Sequence, residues 1–235
     1  MTRTLAEVAL AASTCTRCRL AEGRTQVVFG NGDPHADLMF VGEAPGVNED
    51  RQGEPFVGAA GQLLDRMLAE IGLTRAEVYV ANINKCRPPG NRDPQPDEIE
   101  ACTPWLVEQI SLIQPQVIVT LGNFATKFVL STTTGITRIR GQLHRWHGRT
   151  VIPTFHPAAI LHGGGERSPQ FAALRDDFGL VRRTLDAMGA SAEPVPELSG
   201  DPKHTAPTPA PGEIVRLVPG VSDGPVPDPD QLELF

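Results

Sequence analysis

At 235 residues, 40% hydrophobic and 21% charged, the chain can bury a sizeable core, and no uncharged apolar run is long enough to span a membrane. The N-terminus lacks the basic and apolar regions of a signal peptide, so an intracellular, cytoplasmic protein is expected. A net charge of −7 excludes a uniformly basic nucleic-acid binder, but residues 190–235 hold eight acids and two bases, which leaves residues 1–189 at −1 and able to carry a local basic face.

In chain order, residues 4–12 read as a short helix running into Cys15-Thr16-Arg17-Cys18. Leu38–Val41 is a short apolar run that stops at Gly42-Glu43-Ala44-Pro45-Gly46, the pattern of a buried strand delivering residues to the carboxyl edge of a sheet. After the stretch from Glu49 to Gly61, residues 62–71 place Leu63, Leu64, Met67, Leu68 and Ile71 on one helical face, with Gly72 as the stop. Residues 78–83 form a second strand. A Pro- and Arg-rich loop from Lys85 to Pro96 leads into a helix over 97–113, and residues 116–121 form a third strand followed by a helix over 123–130. A hairpin pairs 139–146 with 149–154, turning at His147-Gly148, and a last helix covers 169–188. Alternating strands and helices imply a parallel sheet with right-handed crossovers. Glu43, Asn82, Gly122 and His156 then fall at or just past strand ends and converge on one crevice, where open α/β sheets bind ligands.

Composition changes at Ala190, since ten of the 22 prolines lie in the last 46 residues. Residues 190–230 read as a disordered, Pro-rich, acidic linker. The last five, Gln231-Leu232-Glu233-Leu234-Phe235, put three apolar side chains at its tip and suit a peptide that docks in a partner's groove.

Cys15-x2-Cys18 and Cys86-x15-Cys102 supply four thiolates, enough for tetrahedral zinc or an iron–sulfur cluster. Spacing does not choose between them.

Taken in order, Cys-x2-Cys, Gly-Glu-Ala-Pro-Gly, Pro-Phe-Val-Gly-x-x-Gly, Asn-x-x-Lys-Cys-Arg-Pro-Pro and His-Pro resemble the family 4, iron–sulfur uracil-DNA glycosylases over roughly residues 10–188. The resemblance implies a three-layer α/β/α fold with a central, mostly parallel four-stranded sheet in residues 1–189. It also implies a structural [4Fe-4S] cluster on Cys15, Cys18, Cys86 and Cys102. Uracil-containing DNA would be the substrate, cut at the N-glycosidic bond in base excision repair, by a monomer in the bacterial cytoplasm at the nucleoid. The short Arg87–Arg92 loop lacks the basic insertion of a relative that links covalently to DNA, so ordinary turnover is expected.

Each site residue has chemistry that suits this assignment. Gly42, Glu43 and Ala44 line the pocket, and Phe56 offers a stacking face to a flipped base. Asn82 can accept from uracil N3–H and donate to O4, a polarity that cytosine reverses. His156 is the donor to uracil O2, where negative charge develops on cleavage. Glu43 orients or deprotonates water, or stabilises the cationic sugar, and Glu49 resembles the position near uracil C5 that excludes a thymine methyl. Lys85, Arg87, Arg92, Arg138, Arg140 and Arg167 are rim candidates for phosphates, with Ile160 or Leu161 as the wedge filling the vacated stack. The tail resembles the Gln-Leu-x-Leu-Phe peptide that binds bacterial sliding clamps. Competing readings are excision of hypoxanthine or xanthine by the same fold, and a catalytically weak, clamp-associated DNA-binding scaffold. A nucleotide-binding protein ranks low because Gly-x-Gly-x-x-Gly and a phosphate-loop lysine are missing.

Overall fold

Four apolar runs, each too short for a buried helix, pair side by side as the middle of a sheet. The computed structural model describes residues 3–191, so the expected linker and terminal peptide lie outside the described residues. The strands are β1 (Asn31–Gly32), β2 (Leu38–Gly42), β3 (Tyr79–Asn82), β4 (Val117–Leu121), β5 (His144–Trp146) and β6 (Arg149–Thr154). The helices are α1 (Leu5–Ser13), α2 (Leu20–Gly23), α3 (Val47–Gln52), α4 (Ala59–Glu70), α5 (Pro96–Ile113), α6 (Gly122–Leu130), α7 (Ile136–Ile139), α8 (Pro157–His162) and α9 (Pro169–Ser191). Short 3₁₀ turns at Arg75–Glu77, Pro89–Asn91 and Gly165–Arg167 join some of them. Among the described residues no helix is long and apolar enough to cross a membrane.

The sheet order is β1-β3-β2-β4-β6-β5. β3, β2, β4 and β6 run parallel, as the alternating pattern requires; the short strand β1 adds an antiparallel edge that the sequence reading lacked, and β5 pairs antiparallel with β6 as the expected hairpin. Alternation along β2 fills two layers. Leu38 and Phe40 pack with Leu63, Leu64, Met67 and Leu68 of α4 and with Leu174, Phe178 and Val181 of α9. Met39 and Val41 face Leu106, Ile110 and Ile113 of α5 and Ala125 and Val129 of α6. The result is the expected α/β/α sandwich. Phe40 and Phe178 stack at 5.7 Å in its centre.

One predicted element is shorter than expected. The first arm of the hairpin covers only His144–Trp146, while Ile136–Ile139 forms a helical turn. Pro153 gives the reason: it has no N–H to donate, so a partner strand beside it would lose a rung. β5 therefore begins at His144 opposite Val151, and the Pro153 carbonyl accepts instead from the Gly141 amide at 2.9 Å.

Candidate active site

β2 and β3 end in register, with Gly42 opposite Asn82, and the chains stay paired beyond the strands through Ile83 N–H to Gly42 O and Asn84 N–H to Glu43 O, both 3.0 Å. Gly42 is a glycine because of what surrounds it. A Cβ there would sit 2.4 Å from Asn82 Oδ1 and 2.7 Å from Phe56 Cζ. Asn82 is 2% exposed, and its Oδ1 is buried without a hydrogen-bond partner. An orphaned buried carbonyl costs about 1–3 kcal/mol, so the site carries an acceptor poised for a ligand N–H. The backbone of Asn82 is itself held, since Lys85 Nζ donates to its carbonyl oxygen at 2.7 Å.

His156 leaves β6 and caps α8. Its Nδ1 accepts from the Ala158 N–H at 3.1 Å, which leaves the ring hydrogen on Nε2. Burial pulls its pKa down to about 4, against an opposing pull from Glu49, so the ring is a neutral donor at pH 7. It stacks on Phe56 at 5.5 Å and 28°, and Gly122 makes room behind it, where a Cβ would come within 3.1 Å of His156 Cβ. Phe56 holds this position with a left-handed backbone, φ 57°.

Glu43 is half-buried, and burial first, then the Asp93 charge, pushes its carboxyl up to about 7. Glu49 Oε1 accepts from the amides of Val57 (3.0 Å) and Gly58 (2.9 Å), so it fastens the turn that carries Phe56, with Gly46 leaving space for its other oxygen.

Some distance along the chain, Cys15, Cys18, Cys86 and Cys102 line a single small cavity together with Arg24, Lys85 and Trp105. N–H groups point at the sulfurs: Trp105 Nε1 to Cys15 at 3.4 Å, Arg24 Nη1 to Cys86 at 3.5 Å, and the Lys85 amide to Cys102 at 3.1 Å. Burial raises the thiol pKa of Cys18 and Cys86 and takes that of Cys102 to about 11. Among the described residues no three His, Cys, Asp or Glu side chains form a site for a single metal ion.

Residues 29–179 match the uracil DNA glycosylase superfamily. The chain belongs to that superfamily. It is 48% identical to the type-4 uracil-DNA glycosylase of Sulfurisphaera tokodaii over 177 residues, 72% of this chain and 79% of that one. To the type-4 enzyme of Archaeoglobus fulgidus it is 49% identical over 156 residues, 63% and 78% of the two chains. The type-5 enzyme of Pyrobaculum aerophilum matches at 31% over 146 residues, 55% and 64% of the two chains. The type-4 relatives therefore set the branch of the superfamily.

For a uracil-DNA glycosylase fold, the DNA rim needs correcting. Lys85 is 1% exposed and cannot reach a phosphate, because its Nζ is spent on Asn82 O and on Gln109 Oε1 at 2.5 Å. Ile160, 1% exposed, is part of the core and no wedge, and Leu161 is half-buried against the same core. Arg140 is tied to Asp177, and Arg92 forms a two-pronged pair with Glu98 at 2.8 and 2.6 Å. Arg87 is half-buried and donates to Asn91 Oδ1 at 2.6 Å, while Arg138 and Arg167 stay exposed. Sequence reasoning missed Asp93, which lies in the loop after β3, and its place beside the crevice was implied by that loop's origin at the strand end. It also missed Gln109, which receives Lys85 and donates to Phe29 O (2.9 Å) and Tyr79 Oη (3.1 Å), and no local pattern announces that.

Proposed function

We propose that this protein removes uracil from DNA by hydrolysing its N-glycosidic bond and leaves an abasic site for repair. The observation that carries the reading is the unpartnered Asn82 Oδ1 beside the Phe56 ring. A flipped uracil stacked on Phe56 gives its N3–H to that oxygen, whereas cytosine presents a second acceptor there and leaves both groups unpaired. Neutral His156 donates from Nε2 to uracil O2 as charge gathers on the leaving base. An imidazole that is already neutral gives this bond without surrendering its proton. Glu43, whose carboxyl is pushed up to about 7, is assigned the sugar side: ionised, it takes a proton from the attacking water or offsets the cationic sugar. Ala44 lines the same strand-end turn.

The four cysteines suit a [4Fe-4S] cluster as a structural cofactor. Support comes from their common cavity and the N–H groups directed at three sulfurs. When bound, such a cluster would join the N-terminal segment to the loop after β3 and supply no redox step. The pentapeptide Gln231–Phe235, outside the described residues, suits a bacterial sliding clamp, with residues 190–230 as tether. Deleting 231–235 should abolish clamp pull-down and leave excision on naked oligonucleotides intact. Loss of excision would refute the tether.

The direct test is to incubate the full chain with a uracil-containing oligonucleotide in EDTA, which silences magnesium-dependent nucleases, and to look for alkali-labile breaks at the uracil. Breaks confined to uracil are expected. Breaks only in oligonucleotides bearing hypoxanthine or xanthine would transfer the same site to another deaminated base, and binding without base release would favour the scaffold.

A further inference from the structure

Phe56 occupies a backbone region that bulky residues avoid, at a cost of about 1–3 kcal/mol, and such a conformation persists only where the surroundings over-determine it. Three elements do so here. Glu49 takes the amides that follow Phe56. Gly61 lets the first turn of α4 press on the Phe56 carbonyl, so closely that a Cβ would lie 1.6 Å from that oxygen. The carbonyls are held from a third direction. Arg75, in the 3₁₀ turn before β3, donates from Nη2 to Pro55 O at 2.6 Å and to Phe56 O at 3.1 Å. Its Nη1 lies 3.7 Å from Asp65 on α4 and is otherwise buried without a partner, and the side chain is 28% exposed.

We infer that Arg75 is a positioning residue for base stacking: its guanidinium clamps the two carbonyls that fix the left-handed turn, and through them it aims the Phe56 ring at the flipped base. The inference rests on the uracil-excision reading above. A guanidinium suits the task because one nitrogen carries two diverging hydrogens, and its charge strengthens both bonds. Lysine has a single ammonium point that reaches one carbonyl well. Without the clamp, the turn relaxes toward an ordinary conformation and the ring swings off its line with His156.

The test compares Arg75→Met, Arg75→Lys, Phe56→Ala and the Phe56→Ala/Arg75→Met double variant with the unaltered protein. Single-turnover uracil excision, inhibition by free uracil and melting temperature are recorded for each. Arg75→Met should excise at least about tenfold more slowly and bind free uracil correspondingly more weakly, with Arg75→Lys in between. In the Phe56→Ala background the same change should cost less than about twofold, because the ring it aims is gone. An equal loss in both backgrounds would overturn the inference. So would full excision by Arg75→Met, or unfolding of the Met and Lys variants alike, which would make Arg75 a keystone of the fold and nothing more. Failure of the unaltered protein to excise uracil would instead refute the proposed function.

Discussion

Burial moves Glu43 and His156 in opposite directions, and their usual order on the pH scale is exchanged. Glu43 rises to about 7 and His156 falls to about 4. Below pH 7 Glu43 holds a proton and can neither accept one from water nor present a negative charge to the sugar. The single-turnover rate should therefore fall about tenfold per pH unit below an inflection near 7, a value that would ordinarily be credited to histidine. Replacing Glu43 by Gln should lower the rate and flatten the profile, whereas an inflection that survives Glu43→Gln would assign it elsewhere. His156 stays neutral throughout this range and adds no inflection of its own. Asn82 carries a different kind of prediction. Its orphaned carbonyl is a liability to the empty protein and an asset only with a base bound. Asn82→Ala should lose excision by about 100-fold or more, as befits a buried group that pairs only with the substrate, yet melt no lower than the unaltered protein. A large drop in melting temperature would show that Asn82 serves the fold. The residue types at 43, 82 and 156 were legible in the sequence because each lies at or just past a strand end. Their protonation was not, since burial is decided by elements far along the chain.

Helix α4 and the turn before it form a unit whose tolerance is set by one missing methyl group. In the sequence, Gly61 looks like an indifferent residue in the first turn of an amphipathic helix, where alanine would be the better helix former. Packing reverses that expectation. Gly61→Ala puts a carbon into the Phe56 carbonyl, and because that atom is backbone pinned by Arg75, the clash has no cheap escape. Overpacking of this kind costs about 1–3 kcal/mol, or about 2–10 °C in melting temperature for a domain of this size. Excision should suffer as well, since the displaced atom belongs to the stacking residue, and an unchanged melting temperature would contradict the tight approach. The same blindness explains the hairpin. Residues 139–143 are expected as the start of the hairpin arm, and only the pairing shows that the arm begins at His144, with Gly141 donating to the Pro153 carbonyl beyond it. The strands and helices that follow simple periodicity were all foreseen, to within a few residues. What escaped were the features set by contacts between elements: the edge strand β1, the helical turn at 136–139 and the burial of Lys85.

At the scale of the whole molecule, the question is what keeps the N-terminal segment against the sheet. α1 packs on α5 through Val8, Ala12, Phe29, Cys102 and Trp105, a cluster much smaller than the two that sandwich the sheet. The four cysteines lie at the edge of this cluster, and the two pairs are about 70 residues apart in sequence. A bridge across a loop of that length removes conformational freedom from the unfolded chain worth about 4 kcal/mol in the chain-entropy picture used for disulfides. Burial resists ionisation of three of the thiols, against an opposing pull from Arg24 on Cys86 and from Lys85 on Cys102. The proposed cluster thus predicts a joint loss. Cys102→Ser should abolish a broad absorption near 400 nm, of the order expected for Cys-ligated iron–sulfur, and lower the melting temperature by about 10 °C. The loss should pass to the crevice, because the loop that carries Cys86 also carries Lys85, whose Nζ donates to the carbonyl of Asn82. Weaker discrimination of uracil, measured below the variant's own melting transition, is therefore expected alongside the spectral change. A colourless protein whose Cys102→Ser variant melts and excises like the original would leave the four thiols as ordinary buried side chains.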